Sequence, residues 1–404
     1  MSPQLFFLIG ALCAGHAMLA TFRGRAPFAM AWFVAGWLTG EFALFHLAWQ
    51  LAVTAWAASS GALDEALGRV GLAFMIVSWL GLLLAHHRAR QAEHVMAAAL
   101  DEALGPDHGE GLEGLRAHVP RGLLLRPFRY ELPEVEVRRD LSYGPHGPLN
   151  TLDVYRRRDL DGPAPVLIHI HGGSWMHGRK ERQAKPLTWH LAAEGWVVVS
   201  INYRLSPKAT FPDHLDDVTA AVRWVRDHAD DLGVDPGFVV LTGGSAGGHL
   251  AALAALDPEL DVQGCVPHYG IYDFLDRHGA RGRNSFEGFF RKVIMKCSPT
   301  ECRDRWEAAS PIAQVGPHAP PFLVIHGTFD SMAYVDEARW FVRELRAAST
   351  QPVAYAELPA AQHAFDTFHT VRSTHVVNGV ARWLTWLHTC HLRAVTDGPD
   401  AVTS

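Results

Sequence analysis

The run Gly243-Gly244-Ser245-Ala246-Gly247 constrains this chain more than any other stretch. It follows the apolar residues Phe238-Val239-Val240-Leu241 and precedes the helix-like His249-Leu250-Ala251-Ala252-Leu253. An apolar strand, a turn of small residues and a helix put the serine at the tip of a sharp strand-to-helix corner. G-x-S-x-G in that setting is a nucleophile elbow, with Ser245 Oγ standing clear of an α/β sheet. Alone the pentapeptide would be weak, because small residues surround serines in ordinary turns. Its worth depends on what the rest of the chain supplies.

A serine hydroxyl is a poor nucleophile until a base takes its proton and a third group orients that base. Both partners lie downstream in the order Ser, Asp, His. Pro321 to Ile325 reads as a buried strand, and Asp330 sits in its exit loop, His326-Gly327-Thr328-Phe329-Asp330. Val353 to Leu358 reads as a second strand, and its exit loop, Ala361-Gln362-His363-Ala364-Phe365, offers His363. Ser245, Asp330 and His363 would then all leave carboxyl ends of parallel strands, where open α/β sheets bind ligands. The chain holds 24 histidines, so rivals need weighing. His326 reads as a strand-end residue bonded to backbone and His369 as part of the following helix. Asp336 reads as first-turn helix, and Asp273 leaves an earlier strand.

Upstream, Pro165 to Ile170 reads as a central strand and runs into His171-Gly172-Gly173-Ser174-Trp175. Acyl transfer needs backbone N–H groups aimed at the developing oxyanion, and glycine lets the chain approach the substrate closely. The amides of Gly172 and Gly173, with that of Ala246 after the serine, are the candidate oxyanion donors. Each such donor supplies ~3 kcal/mol of transition-state stabilisation. His171 reads as a brace for the loop.

These motifs resemble the hormone-sensitive-lipase-like carboxylesterases of the α/β-hydrolase superfamily, bacterial and actinobacterial members above all. The residues that carry the resemblance are His171 to Trp175, Asn202-Tyr203-Arg204-Leu205-Ser206-Pro207, Phe211-Pro212 with Asp216-Asp217, Gly243 to Gly248, Asp330 and His363. They cover roughly residues 130 to 390 and match in order, spacing and strand context. The resemblance implies a Ser-His-Asp mechanism with no cofactor and no metal. Many relatives carry Asp at the second elbow position, where Gly244 stands here. Kynurenine formamidases and feruloyl-esterase-like enzymes share much of the framework, so a formyl-amide bond is the alternative to an ester. A non-catalytic membrane receptor on the same fold is the reading from another class, and the retained serine and histidine argue against it.

The rhythm of the chain agrees. Val135 to Leu141 and Thr151 to Tyr155 read as alternating strands. Strands at 165–171, 196–202, 238–242 and 263–269 then alternate with helices near 181–194, 213–229 and 246–256. The expected fold is a mostly parallel eight-stranded sheet with helices on both faces, over residues 130–392. The alternation lapses over 271–309, which is rich in aromatics and reads as a helical insertion roofing the substrate pocket. Trp175, Phe286 and Phe289 are its candidate lining residues. The rhythm resumes with a strand at 321–326, a helix at 333–348, a strand at 353–358 and a final helix at 370–389. Residues 393–404 read as a flexible tail.

Mean hydropathy is +0.02, and residues 1–88 hold nearly all of the apolar excess. Leu5 to Phe22 is uncharged and long enough to span a bilayer. Met30 to Ala58 carries one charge, Glu41, and Val70 to Ala85 is a third apolar run. A signal peptide would have a basic start and no further apolar segments, so three membrane helices are expected. Arg23 and Arg25 follow the first segment and Arg88 and Arg90 the third. With basic loops inside, the amino terminus lies outside and the catalytic domain is cytoplasmic. Glu41 is costly in lipid, and reads either as marking a membrane helix broken near Thr39-Gly40 or as bonded to another helix.

Residues 89–129 read as a helical connector. Within it, Gly109 to Gly114 fits G-x-G-x-x-G, but no strand precedes it and its glutamates would repel phosphate. The five cysteines show no metal spacing, and a Cys297–Cys302 bridge is disfavoured by cytoplasmic placement. With a net charge of −6 and no basic block outside the membrane flanks, nucleic-acid binding is not expected. The expected partners are a small-molecule or lipid ester and the bilayer. Oligomeric state is not legible.

Overall fold

The computed structural model describes residues 1–24, 29–106, 122, 125–282 and 286–397. The Gly109–Gly114 motif and Arg25 lie outside the described residues. Thirteen α-helices are described: α1 (Pro3–Thr21), α2 (Ala29–Glu41), α3 (Ala43–Ser59), α4 (Ala66–Arg90), α5 (Ala92–Leu104), α6 (Lys185–Ala193), α7 (Asp213–Asp227), α8 (Ala229–Leu232), α9 (Ala246–Ala255), α10 (Glu287–Phe289), α11 (Arg303–Ala308), α12 (Val335–Ala348) and α13 (Val371–Asp397). The strands are β1 (Val135–Ser142), β2 (Thr151–Arg157), β3 (Ala164–Ile170), β4 (Val197–Ile201), β5 (Val234–Gly244), β6 (Gly264–His268), β7 (Phe322–Gly327) and β8 (Val353–Leu358).

The strands form one eight-stranded sheet in the order β1-β2-β4-β3-β5-β6-β7-β8. β1 with β2 and β2 with β4 pair antiparallel, and the remaining neighbours pair parallel. Every residue of β3 and β4 is buried, because both faces of the sheet are covered. Side chains alternate across the strand, so Val166, Ile168 and Ile170 enter one core with residues of α7, α9 and α12. Leu167 enters the other, with residues of α5, α6 and α13. The chain leaves β3 for β4 on one side and returns as β5 on the other. The carboxyl ends of β3 and β5 therefore flank a topological switch point, the usual ligand crevice of an open α/β sheet.

The apolar amino-terminal region is built on this domain and is not a separate body. α1 and α4 run parallel: Ser78 Oγ donates to Cys13 O at 3.1 Å, and Arg88 Nη1 donates to Thr21 O at 2.9 Å. α3 runs back along α4, with Ala43 against Leu82 and Ala85, and Ala57 beside Phe6 and Met75. α1 and the α4–α5 rod are long and apolar enough to cross a membrane. The second apolar segment is not one straight span, and its break falls next to Thr39-Gly40, where a broken helix was one of the two expectations. It bends by 80° between α2 and α3, and α2 lies on the catalytic domain. At the bend the Glu41 carboxylate accepts from Arg372 Nε and Thr370 Oγ1, both at 2.8 Å. α5 belongs to the domain core through Ala92, Met96, Ala99 and Leu100.

Two further expectations change. α13 continues to Asp397, into the segment read as a tail, because no glycine or proline interrupts it before Gly398. Cys297 and Cys302 form a disulfide, with Cα atoms 6.2 Å apart across the turn that leads into α11.

Candidate functional site

β5 ends at Gly244 and α9 begins at Ala246, leaving Ser245 alone at the corner with φ 58° and ψ −121°. A non-glycine residue in this region is strained, and the surrounding bonds hold it there. Ser245 N donates to His268 O at 3.0 Å, and His249 N donates to Ser245 O at 3.0 Å. The glycine at 244, where many relatives carry Asp, has a local cause. A Cβ there would come within 2.5 Å of the Tyr269 hydroxyl. Tyr269 in turn donates to Asp366, whose other oxygen lies 3.1 Å from His268 Nδ1. Burial raises the Asp366 pKa, but the His268 and Tyr269 contacts outweigh it and hold the carboxyl below its usual range. The acidic charge near the elbow thus comes from the loop after β8.

The loop after β7 holds Asp330, and the loop after β8 holds His363 against it. His363 Nδ1 lies 2.7 Å from Asp330 Oδ2. Asp330 is fully buried, and its Oδ1 accepts from the amides of Met332 and Ala333, both at 2.8 Å. Two backbone amides and the His363 ring hold this carboxyl group in place. The contact with Nδ1 orients the ring and leaves Nε2 as the nitrogen without this bond. His363 and Ser245 open on the same cavity, of about 510 Å³. The rivals have other work. His326 Nε2 bonds the Ala333 carbonyl at 2.9 Å, with burial lowering its pKa. Asp336 sits in the first turn of α12, and Asp273 accepts from Arg277.

Beyond β3 the chain turns through Gly173 at φ 126°, where a Cβ would strike the His177 carbonyl. His171 stacks on Tyr203 at 4.4 Å, and its Nδ1 contacts the Gly172 carbonyl at 2.8 Å. Burial lowers its pKa to about 4, so the ring is neutral and Nδ1 is the donor. Gly173 takes no amide partner among the described residues, and Ala246 opens α9, where first-turn amides have no intrahelical acceptor. Gly172 is different: its N–H donates to Gln183 Oε1 at 2.6 Å.

Trp175, Phe286 and Phe289 all line the cavity. Trp175 packs edge-on against Phe274 and Phe290, so the 271–309 insertion closes one wall. Sequence reasoning missed Met30, Phe33, Gln183, Tyr269 and Met332, which line it too. Phe33 gave no distinguishing signal. Phe33 and Trp37 are four apart on one helical face, inside a segment read as facing lipid.

Residues 152–345 match the family described as BD-FAE. The probable carboxylic ester hydrolase LipM of Mycobacterium tuberculosis is 40% identical over 98% of both chains. This chain belongs to the hormone-sensitive-lipase-like carboxylesterases of the α/β-hydrolase superfamily. It is a carboxylic ester hydrolase. Esterase LipQ of the same organism is 39% identical over 92% of this esterase and 87% of its own length. The alignment with LipM takes in the amino-terminal apolar region as well as the sheet. Among solved structures, esterase B from Lactobacillus rhamnosis is similar, with a TM-score of 0.57 at 21% identity over 76% of this chain and 99% of that one. That likeness concerns the fold.

Proposed function

We propose that this esterase is a membrane-anchored serine hydrolase working through Ser245, His363 and Asp330. His363 Nε2 takes the Ser245 proton as Oγ attacks the ester carbonyl, and Asp330 stabilises the imidazolium that forms. The amides of Gly173 and Ala246 hold the tetrahedral oxyanion, joined by Gly172 once Gln183 releases it. His363 then protonates the leaving alcohol, and water repeats the sequence on the acyl-enzyme. No cofactor or metal takes part. The observation that carries the reading is the 2.7 Å His363–Asp330 bond on a cavity shared with the strained Ser245.

A fluorophosphonate probe should label the wild type at Ser245 and fail to label Ser245→Ala. Persistent labelling of that variant would place the nucleophile elsewhere.

The same proposal has α1, α3 and α4 crossing the bilayer, with the amino terminus and the catalytic domain on opposite sides. The parallel course of α1 and α4 supports it. So does the basic character of the ends near the domain, which favours the cytoplasmic side for that domain. Arg23 lies 3.7 Å from Asp336, and Arg88 sits over the Phe329 ring, so these charges also tie the bundle to the domain. Apolar or lipid-derived esters are the proposed substrates, because most of the cavity wall is aromatic or aliphatic.

A further inference from the structure

α2 has two working faces. Met30, Val34 and Leu38, spaced at i, i+4 and i+8, are exposed, and they form an apolar stripe along the helix. Phe33 and Trp37 lie on the adjoining face, about 80° around the helix at about 100° per residue, against the catalytic domain. The Phe33 ring meets the His363 ring edge-on at 5.8 Å, and Trp37 Nε1 donates to the carbonyl of Ala364 at 3.0 Å. At the start of the helix, the Ala29 carbonyl accepts from Ser331 Oγ at 3.0 Å. α2 is therefore bonded to the residues that follow both Asp330 and His363 in sequence. Met30 belongs to both faces: it is 57% exposed and also lines the cavity that holds Ser245.

The 80° bend sets the attitude of this helix. If α3 follows the bilayer normal, α2, which is apolar on every side up to Glu41, lies nearly in the membrane plane. Its exposed stripe then faces acyl chains, and the adjoining face, with Phe33, closes the cavity. Phe128, 67% exposed, stacks near Phe42 at the far end of the same helix and extends the apolar surface.

We propose that α2 is a substrate-selecting wall of the active site, with Met30 at the lipid-side entrance and Phe33 setting how long a chain fits beside His363. The chain of an apolar ester passes from the bilayer beside Met30 and lies against Phe33 while its carbonyl reaches Ser245. The inference rests on the reading of Ser245 as the nucleophile. It goes beyond that reading in making part of the anchoring region a specificity determinant.

The test uses the full chain in detergent micelles and p-nitrophenyl esters from acetate to laurate. Fluorophosphonate labelling is followed in parallel. Phe33→Ala should keep its labelling and shift kcat/KM toward longer chains, changing the long-to-short ratio by about tenfold, the range one or two methylenes command in an apolar pocket. Phe33→Trp, which fills more of the cavity, should shift the ratio the opposite way. Leu80→Ala, a 63% exposed residue on α4 remote from the cavity, should leave the profile unchanged. Unchanged profiles in both Phe33 variants, with labelling intact, overturn the proposal and leave the nucleophile standing. Loss of labelling in Phe33→Ala through misfolding leaves Phe33→Trp to decide. A wild type that never labels at Ser245 sinks both readings.

Discussion

Glu41 and Arg372, 331 positions apart, meet at 2.8 Å where the bend between α2 and α3 touches the start of α13. Both side chains are almost wholly buried, at 3% and 2% exposure. The guanidinium also donates to the Pro359 carbonyl at 2.7 Å, in the loop leading to His363. A charge that looks costly inside an apolar segment thus joins the apolar amino-terminal helices to the loop that carries His363.

Removing one partner leaves the other charge buried and unpaired, at a cost of about 3–5 kcal/mol. Glu41→Ala should therefore lower the thermal unfolding midpoint in detergent by several degrees. The double variant Glu41→Leu with Arg372→Met should lose less than the two single variants summed. Additive losses would show that the pair is not coupled.

Asp330→Asn should leave the fold intact, because the new amide oxygen can still accept from the Met332 and Ala333 amides. Its N–H₂ group would then face His363 Nδ1 and force the opposite tautomer. The expected result is a fall in kcat of about 10⁴-fold with KM changed little. Steady-state kinetics on one ester decide it. A fall confined to KM would mean that Asp330 only shapes the pocket.

Much of this was legible in the sequence because chemistry and geometry share a short range there. An elbow is five residues, and each loop partner sits within a few residues of an apolar strand end. β8 falls on the expected residues, since Val353 to Leu358 is bounded on both sides by turn chemistry. The role of α2 was hidden for a physical reason. Phe33 facing His363 and Phe33 facing lipid have the same hydropathy, and only the tertiary partner tells them apart. The Gln183 contact with Gly172 was equally invisible, because nothing in an isolated glutamine marks which amide it will bond. Glu41 announced that a partner existed without saying that it was Arg372.

Burial makes the domain acid-sensitive. His169 and His249 have pKa values lowered to about 3, and His171 to about 4, in each case chiefly by desolvation. The unfolded chain holds these histidines near 6.5, so below that pH it binds more protons than the folded one. Stability is present above about pH 6.5 and falls as the pH drops toward the folded values. Between pH 7 and about pH 5 each ring should cost up to ~2 kcal/mol, at 1.36 kcal/mol per unit. Denaturant midpoints at the two pH values measure the loss. A flat profile would mean that the rings are protonated in the folded protein.

The Cys297–Cys302 bridge and the basic flanks make opposite demands on compartment. Arg23, Arg88 and Arg90 favour the catalytic domain on the inner face, where thiols are kept reduced. The bridge closes a loop with a sequence separation of only 5, so the chain-entropy account gives it about 2 kcal/mol at most. The insertion should fold without it, held by Phe274 stacked on Phe290 at 4.1 Å and by buried Trp306. With the domain inside, both thiols should alkylate in intact cells with a membrane-permeant maleimide before any reductant is added. The air-oxidised purified protein should be blocked at the same pair. Mass spectrometry of the 297–302 peptide reads both states. A pair already blocked in intact cells would put the catalytic domain on the oxidising side and invert the orientation drawn from the arginines.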